Sequence, residues 1–182
     1  MRHVLVVGGT GMLAGVVHGL AEPGVLVSVV ARGRRGLARV AADAPAGSTV
    51  SGVRVDYRES DHVVASLRDV QAADGPFDLA ICWIHGSAPA APTLVMAQMP
   101  PGSTFLHVLG SGAADPARGD ERRELAPAAG VVYRQVVLGF VVEGDRSRWL
   151  THAEIAAGVL EAIDDDAPRV VVGTVEPWDA RP

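Results

Sequence analysis

Short runs rich in Val, Ile and Leu alternate with longer amphipathic stretches along this chain, and that alternation narrows its fold more than any other feature. The apolar runs predict strands over His3–Gly8, Leu26–Ala31, Thr49–Val55, Phe77–Trp83, Thr104–Leu109, Val131–Val142 and Arg169–Val172. Between them, helical periodicity predicts Met12–Ala21, Arg34–Ala42, Asp61–Ala73, Pro92–Met99, Asp120–Ala126 and His152–Asp164. Several strands are apolar throughout, as strands covered by helices on both faces must be. The expected class is therefore α/β, with a mostly parallel sheet between helical layers. The 182 residues form one expected domain, residues 1–182. The last helix is the best marked: Thr151 stands three places before Glu154, a capping box, and Ile155, Val159, Leu160 and Ile163 follow at helical spacing.

Charge and composition exclude several functions. The net charge is −5, which disfavours nucleic acid as a partner, because phosphates call for a basic face. All 16 basic residues are arginine. Without any lysine, P-loop, Schiff-base and Tyr/Lys relay chemistry are all ruled out. The single cysteine, Cys82, rules out an intramolecular disulfide and a cysteine-rich zinc site. His3, His18, His62 and His152 show no metal-ligand spacing, and no metal is expected; Asp164–Asp166 read as a solvated turn. The opening apolar run is too short for a signal peptide, and no stretch approaches the roughly 20 apolar residues that span a bilayer. A cytoplasmic chain without membrane contact is expected.

The strongest local motif is Gly8-Gly9-Thr10-Gly11-Met12-Leu13-Ala14, directly after the first predicted strand. In a G-x-x-G-x-x-A reading, Gly8 makes the tight turn and Gly11 admits a pyrophosphate. Ala14 lets the helix pack on the sheet, and the helix start faces the phosphates. The alternative is a glycine-rich turn without a ligand. After the second strand, at the place of the acidic residue that holds an NAD ribose, stand Arg32, Arg34 and Arg35. Guanidinium groups grip a 2′-phosphate, so NADP(H) is preferred, with NAD(H) as the alternative cofactor. Asp56 and Tyr57, past the third strand, suit the adenine amino group and ring, or else form an ordinary polar turn.

These residues, with Phe77–Trp83, resemble the short-chain dehydrogenase/reductase superfamily, and most closely its atypical NAD(P)-binding members. The Leu150-Thr151-His152-Ala153-Glu154-Ile155-Ala156 run is similar to the start of a late helix in such proteins. The resemblance implies a three-layer doubly wound Rossmann fold with a shortened C-terminal region. It also implies an oxidoreductase acting on a small carbonyl, quinone or similar substrate.

The chain departs from that family where the chemistry should be. The usual Tyr-x-x-x-Lys pair is missing: where it needs lysine, Tyr57 is followed by Asp61 and Tyr133 by Val137. Ser111, after the fifth strand, matches the serine that polarises a carbonyl, or satisfies loop backbone. His85, after the fourth, is placed to donate a proton near the nicotinamide, or bonds to backbone. Trp83 and Ile84 are expected at the cofactor pocket, and Leu138-Gly139-Phe140 at a close approach to the nicotinamide or at a bulge. Tyr133 and His107 read as packing residues. Leu94, Val95 and Met99 form an apolar face for a homo-oligomer or for the core. Two functions compete: a reductase of a small-molecule substrate, and a non-catalytic NAD(P)-binding sensor or regulatory module.

Overall fold

The computed structural model describes residues 1–118 and 125–182. Six apolar runs become strands of one sheet as expected: β1 (Arg2–Val7), β2 (Val25–Ala31), β3 (Thr49–Arg54), β4 (Leu79–Trp83), β5 (Thr104–Gly110) and β6 (Val132–Leu138). After β7 (Phe140–Glu143) and β8 (Arg146–Trp149), β9 (Arg169–Val172) completes that sheet at its edge. The order is β3-β2-β1-β4-β5-β6-β9 and every pairing in it is parallel. This is the doubly wound arrangement, with its switch point between β1 and β4.

Alternation along the strands divides the core in two. Val4 and Val6 of β1 face one layer, Leu5 and Val7 the other. The first layer is built by α1 (Ala14–Leu20), α2 (Arg34–Ala42) and α5 (His152–Asp164), through Val16, Val17, Leu37, Val40, Ile155 and Val159. The second is covered by α3 (Ser60–Asp74) and α4 (Ala91–Met96), through Val63, Leu67, Val95 and Met96. Val95 and Met99 are thus buried in the chain's own core. Cys82 is also fully buried, and burial pushes its thiol pKa far up, which makes it unreactive.

Helix α5 lies against α1 because small residues let it. A Cβ on Gly15 would come within 2.7 Å of Ala156, and one on Gly19 within 2.5 Å of Leu160. The capping box fixes where α5 begins. Glu154 N donates to Thr151 Oγ1 at 3.2 Å, and Thr151 N donates to Glu154 Oε2 at 2.7 Å. Arg148 adds two bonds to the same carboxylate at 2.9 and 3.0 Å, and these bonds hold Glu154 down to about 2.

Several expectations change. The strand over Val131–Val142 is two strands, broken at Gly139, where a Cβ would overlap the Thr174 carbonyl oxygen. Gly139 therefore admits the chain's own backbone. Phe140 and Thr174 exchange hydrogen bonds at 2.8 and 2.9 Å just beside it. Strand β8 pairs antiparallel with β7 in a hairpin that periodicity did not reveal, since RSRW alternates no apolar face. The helix expected from Met12 starts at Ala14, and the one expected over Pro92–Met99 is Ala91–Met96. Of the helix expected over Asp120–Ala126, residues 120–124 lie outside the described residues, and Leu125 and Ala126 belong to neither helix nor strand.

Candidate active site

The carboxyl ends of β1, β2 and β4 open into a cleft of about 710 Å³. Its floor is the glycine turn, with Gly8, Thr10, Gly11 and Met12 lining it. Gly8 has φ +83°, and a Cβ there would stand 2.6 Å from the Trp83 carbonyl oxygen, so only glycine fits. Gly11 differs: a Cβ on it would meet nothing within 4 Å and would project into open space. No hydrogen bond among the described residues uses the amides of Thr10, Gly11 and Met12. The three residues that carry these donors line the cleft beside the start of α1, and a turn of this kind is suited to receive an anion. Gly9 and Leu13 serve the core: a Cβ on Gly9 would lie 2.9 Å from Val17 and from Val29, and Leu13 is fully buried.

One wall comes from the end of β2. Gly36 brings α2 against the turn, since a Cβ there would reach Thr10 at 3.0 Å, and this sets Arg32 and Gly33 along the cleft. The Arg32 side chain is 56% exposed and 3.8 Å from Asp56 Oδ2. Arg34 and Arg35 are exposed on the first turn of α2 and line none of the cleft. Arg54, which sequence reading passed over, stands beside Arg32; both line an adjoining polar pocket of about 400 Å³ with Asp56, Glu59 and His62. Arg58 occupies both oxygens of Asp56, with its shortest bond 2.6 Å, and those bonds hold the carboxyl at about 2. Asp56 is thereby an orienting counter-charge within the arginine group. Tyr57 lines the main cleft.

The opposite wall comes from the end of β4. Trp83 reaches from Gly8 to Gly110: its Cδ1 lies 3.5 Å from a Cβ built on Gly8, and its Cη2 lies 3.6 Å from one on Gly110. His85 meets Trp83 edge to face, with ring centroids 5.9 Å apart, and lines the cleft. Ile84 packs against the second core layer. His152, the first residue of α5, completes this wall. It was legible only as a residue after a cap; the α1–α5 packing brings it here.

Ser111 is buried at the end of β5, and its hydroxyl accepts a 2.8 Å bond from Arg181 Nε. His85 and Ser111 thus stand differently: one exposed in the cleft, the other covered by a guanidinium. Tyr133 on β6 is bonded to His107 at 3.0 Å and to Gln135 at 3.1 Å, on the sheet face beside β5. No group of three or more His, Cys, Asp or Glu side chains able to hold a metal occurs among the described residues. No helix among them is long and apolar enough to cross a membrane.

Solved structures share this architecture closely. A metagenomic short-chain oxidoreductase in complex with NADP matches with a TM-score of 0.69 at 17% identity, over 95% of this chain and 97% of its own. The chain shares the doubly wound Rossmann fold of that oxidoreductase. The citronellol catabolism dehydrogenase of Pseudomonas aeruginosa matches at 0.71 and 20% identity, covering 94% of this chain and 93% of its own. The F189W actinorhodin polyketide ketoreductase with NADPH matches at 0.71 and 16%, over 96% of each chain. No protein-family model matches the sequence, and no curated protein matches it either. At these identities the likeness is one of fold.

Proposed function

We propose that the chain is an NADP(H)-dependent oxidoreductase for a small carbonyl, quinone or similar substrate, of the atypical kind that works without a Tyr/Lys pair. The observation that carries this reading is the row of unengaged amides at Thr10, Gly11 and Met12, with the Arg32 wall beside it. The amides and the start of α1 would take the pyrophosphate. Arg32 and Arg54 would take the 2′-phosphate, with Arg34 and Arg35 adding long-range charge, and Tyr57 would flank the adenine. Structures of the same fold were solved with NADP and with NADPH, which supports the cofactor class. When bound, the nicotinamide supplies the hydride. The protein's part is then to orient the substrate and to manage one proton. His85 is an exposed imidazole at the cleft, beside Trp83, and the residue placed to deliver it; Ser111 assists through the guanidinium it holds.

A second reading, a non-catalytic NAD(P)-binding sensor, draws on one fact. Tyr133 is bonded within the β5–β6 face, Tyr57 lies in the cleft after β3, and no lysine exists to partner either. Dissociation constants for NADPH and NADH, followed by turnover with aldehydes, ketones and quinones, separate the two. Tighter NADPH binding with turnover supports the enzyme. Tight binding with no turnover across the panel supports the sensor, and equal affinity for the two nucleotides removes the preference for NADP(H).

A further inference from the structure

We infer that Arg181, held by Trp149, Trp178 and Ser111, is the receiving group for a carboxylate on a small substrate. This rests on the reading above for what happens to that substrate, but the binding site itself does not need a nucleotide.

Arg181 is an exposed cation held in an unusual way. Arg58 is committed to Asp56, and Arg148 to Glu143 and Glu154. Arg181 has no carboxylate within ion-pair reach among the described residues. Its guanidinium instead lies 5.1 Å from the centre of the Trp149 ring and 5.2 Å from that of Trp178. Its Nε donates to Ser111 Oγ at 2.8 Å. Two indoles and a buried hydroxyl fix a side chain that is otherwise among the most mobile. What they leave to donate is the edge carrying Nη1 and Nη2, which no described group accepts from. A planar pair of N–H groups, already ordered and without a counter-charge, matches the two oxygens of a carboxylate.

Its position connects it to the cleft. Ser111 follows Gly110, the residue against which the far edge of Trp83 rests, while the near edge of Trp83 rests on Gly8. Ser111, which holds the guanidinium, is thus one residue along the chain from the strand end on which Trp83 rests. A short acid whose carboxylate sits on Arg181 would present its remaining carbons toward His85 and Trp83. The substrate class is then a small oxo acid. The elements are assembled for this from three places: Trp149 ends the hairpin, Trp178 and Arg181 lie in the segment after β9, and Gly139 lets that segment join Phe140.

The test titrates the full chain, without nucleotide, with 2-oxobutanoate, phenylglyoxylate and the methyl ester of each. It follows tryptophan fluorescence and heat, and then titrates the same samples with NADPH. Both acids should bind saturably and the esters should not. Arg181→Gln should weaken the acids by about 30-fold or more and leave NADPH within about twofold. Arg181→Lys, which keeps the charge and loses the fork, should fall between, and it carries the test if the Gln variant does not fold. Equal binding of acids and esters, or acid binding that survives Arg181→Gln, would overturn the inference. So would an absence of acid binding in a protein that binds NADPH. Acid binding through Arg181 in a protein that ignores NADPH would uphold this inference and overturn the nucleotide reading instead.

Discussion

Two regions at the carboxyl edge of the sheet are built by different means. At the β1–β2 end, the site is backbone: unengaged amides, a left-handed Gly8 and an open position at Gly11. After β5 it is side chains delivered from afar, with Ser111 and Arg181 separated by 70 residues and joined by one hydrogen bond. A backbone site depends on the few residues that permit its conformation, and a run of glycines announces it. A side-chain site depends on tertiary packing, and nothing local announces it.

Substitutions that test this contrast differ in size. Gly8→Ala should do the most damage, because its Cβ meets a main-chain oxygen at 2.6 Å in a left-handed conformation. A loss of about 3 kcal/mol or more in denaturant unfolding is expected, together with nucleotide binding. An unchanged unfolding midpoint would mean the turn is not built as described. At the other end, Gly139→Ala should cost about 2 kcal/mol, since the Thr174 backbone must retreat. It should also free Trp178, seen as a red shift in tryptophan emission; a stable variant with unshifted emission would show that the segment after β9 is not docked there.

Arg32→Ala should act on recognition alone. Loss of one charged donor should weaken NADPH about tenfold and NADH hardly at all, compared by titration. Equal losses for both would place the 2′-phosphate elsewhere. The smallest effect concerns Glu154, whose carboxyl is held near 2 by Arg148 and by the Thr151 amide. The unfolded carboxyl titrates near 4.5, so the unfolded state takes up its proton first as pH falls. The contribution of Glu154 to stability is complete above that value and fades between about 4.5 and 2. Glu154→Gln should flatten that part of the stability profile, and an identical slope in both proteins would show that the clamp is not formed.

Much of the architecture was legible because its causes are local. The continuous apolar runs of β1, β2, β4 and β5 could only be covered strands, and the Thr151/Glu154 pair marked the start of α5 to the residue. The glycine turn between β1 and α1 was legible for the same reason; the anion it would hold belongs to the proposal. Within that turn, spacing did not separate Gly11, which faces the cleft, from Gly9, which faces Val17 and Val29; the direction of each missing Cβ decides that. Gly139 was recognised as a point of close approach, yet the partner proved to be Thr174 rather than a ligand. Strand β8 was hidden by its polar residues. Nothing local placed His152 or Arg181 at a site, since each owes its place to packing between elements distant in sequence: α1 on α5, and the segment after β9 on Phe140.

The most direct test uses a glycine of the turn whose replacement should touch only the ligand. In calorimetric titration with NADPH, the unaltered chain should bind saturably. Gly11→Ala, whose methyl group enters open space, should keep its thermal midpoint and bind at least about tenfold more weakly. An unaltered chain that gives no heat with millimolar NADPH, or a Gly11→Ala variant that binds as tightly as its parent, would contradict the claim that this turn cradles a dinucleotide.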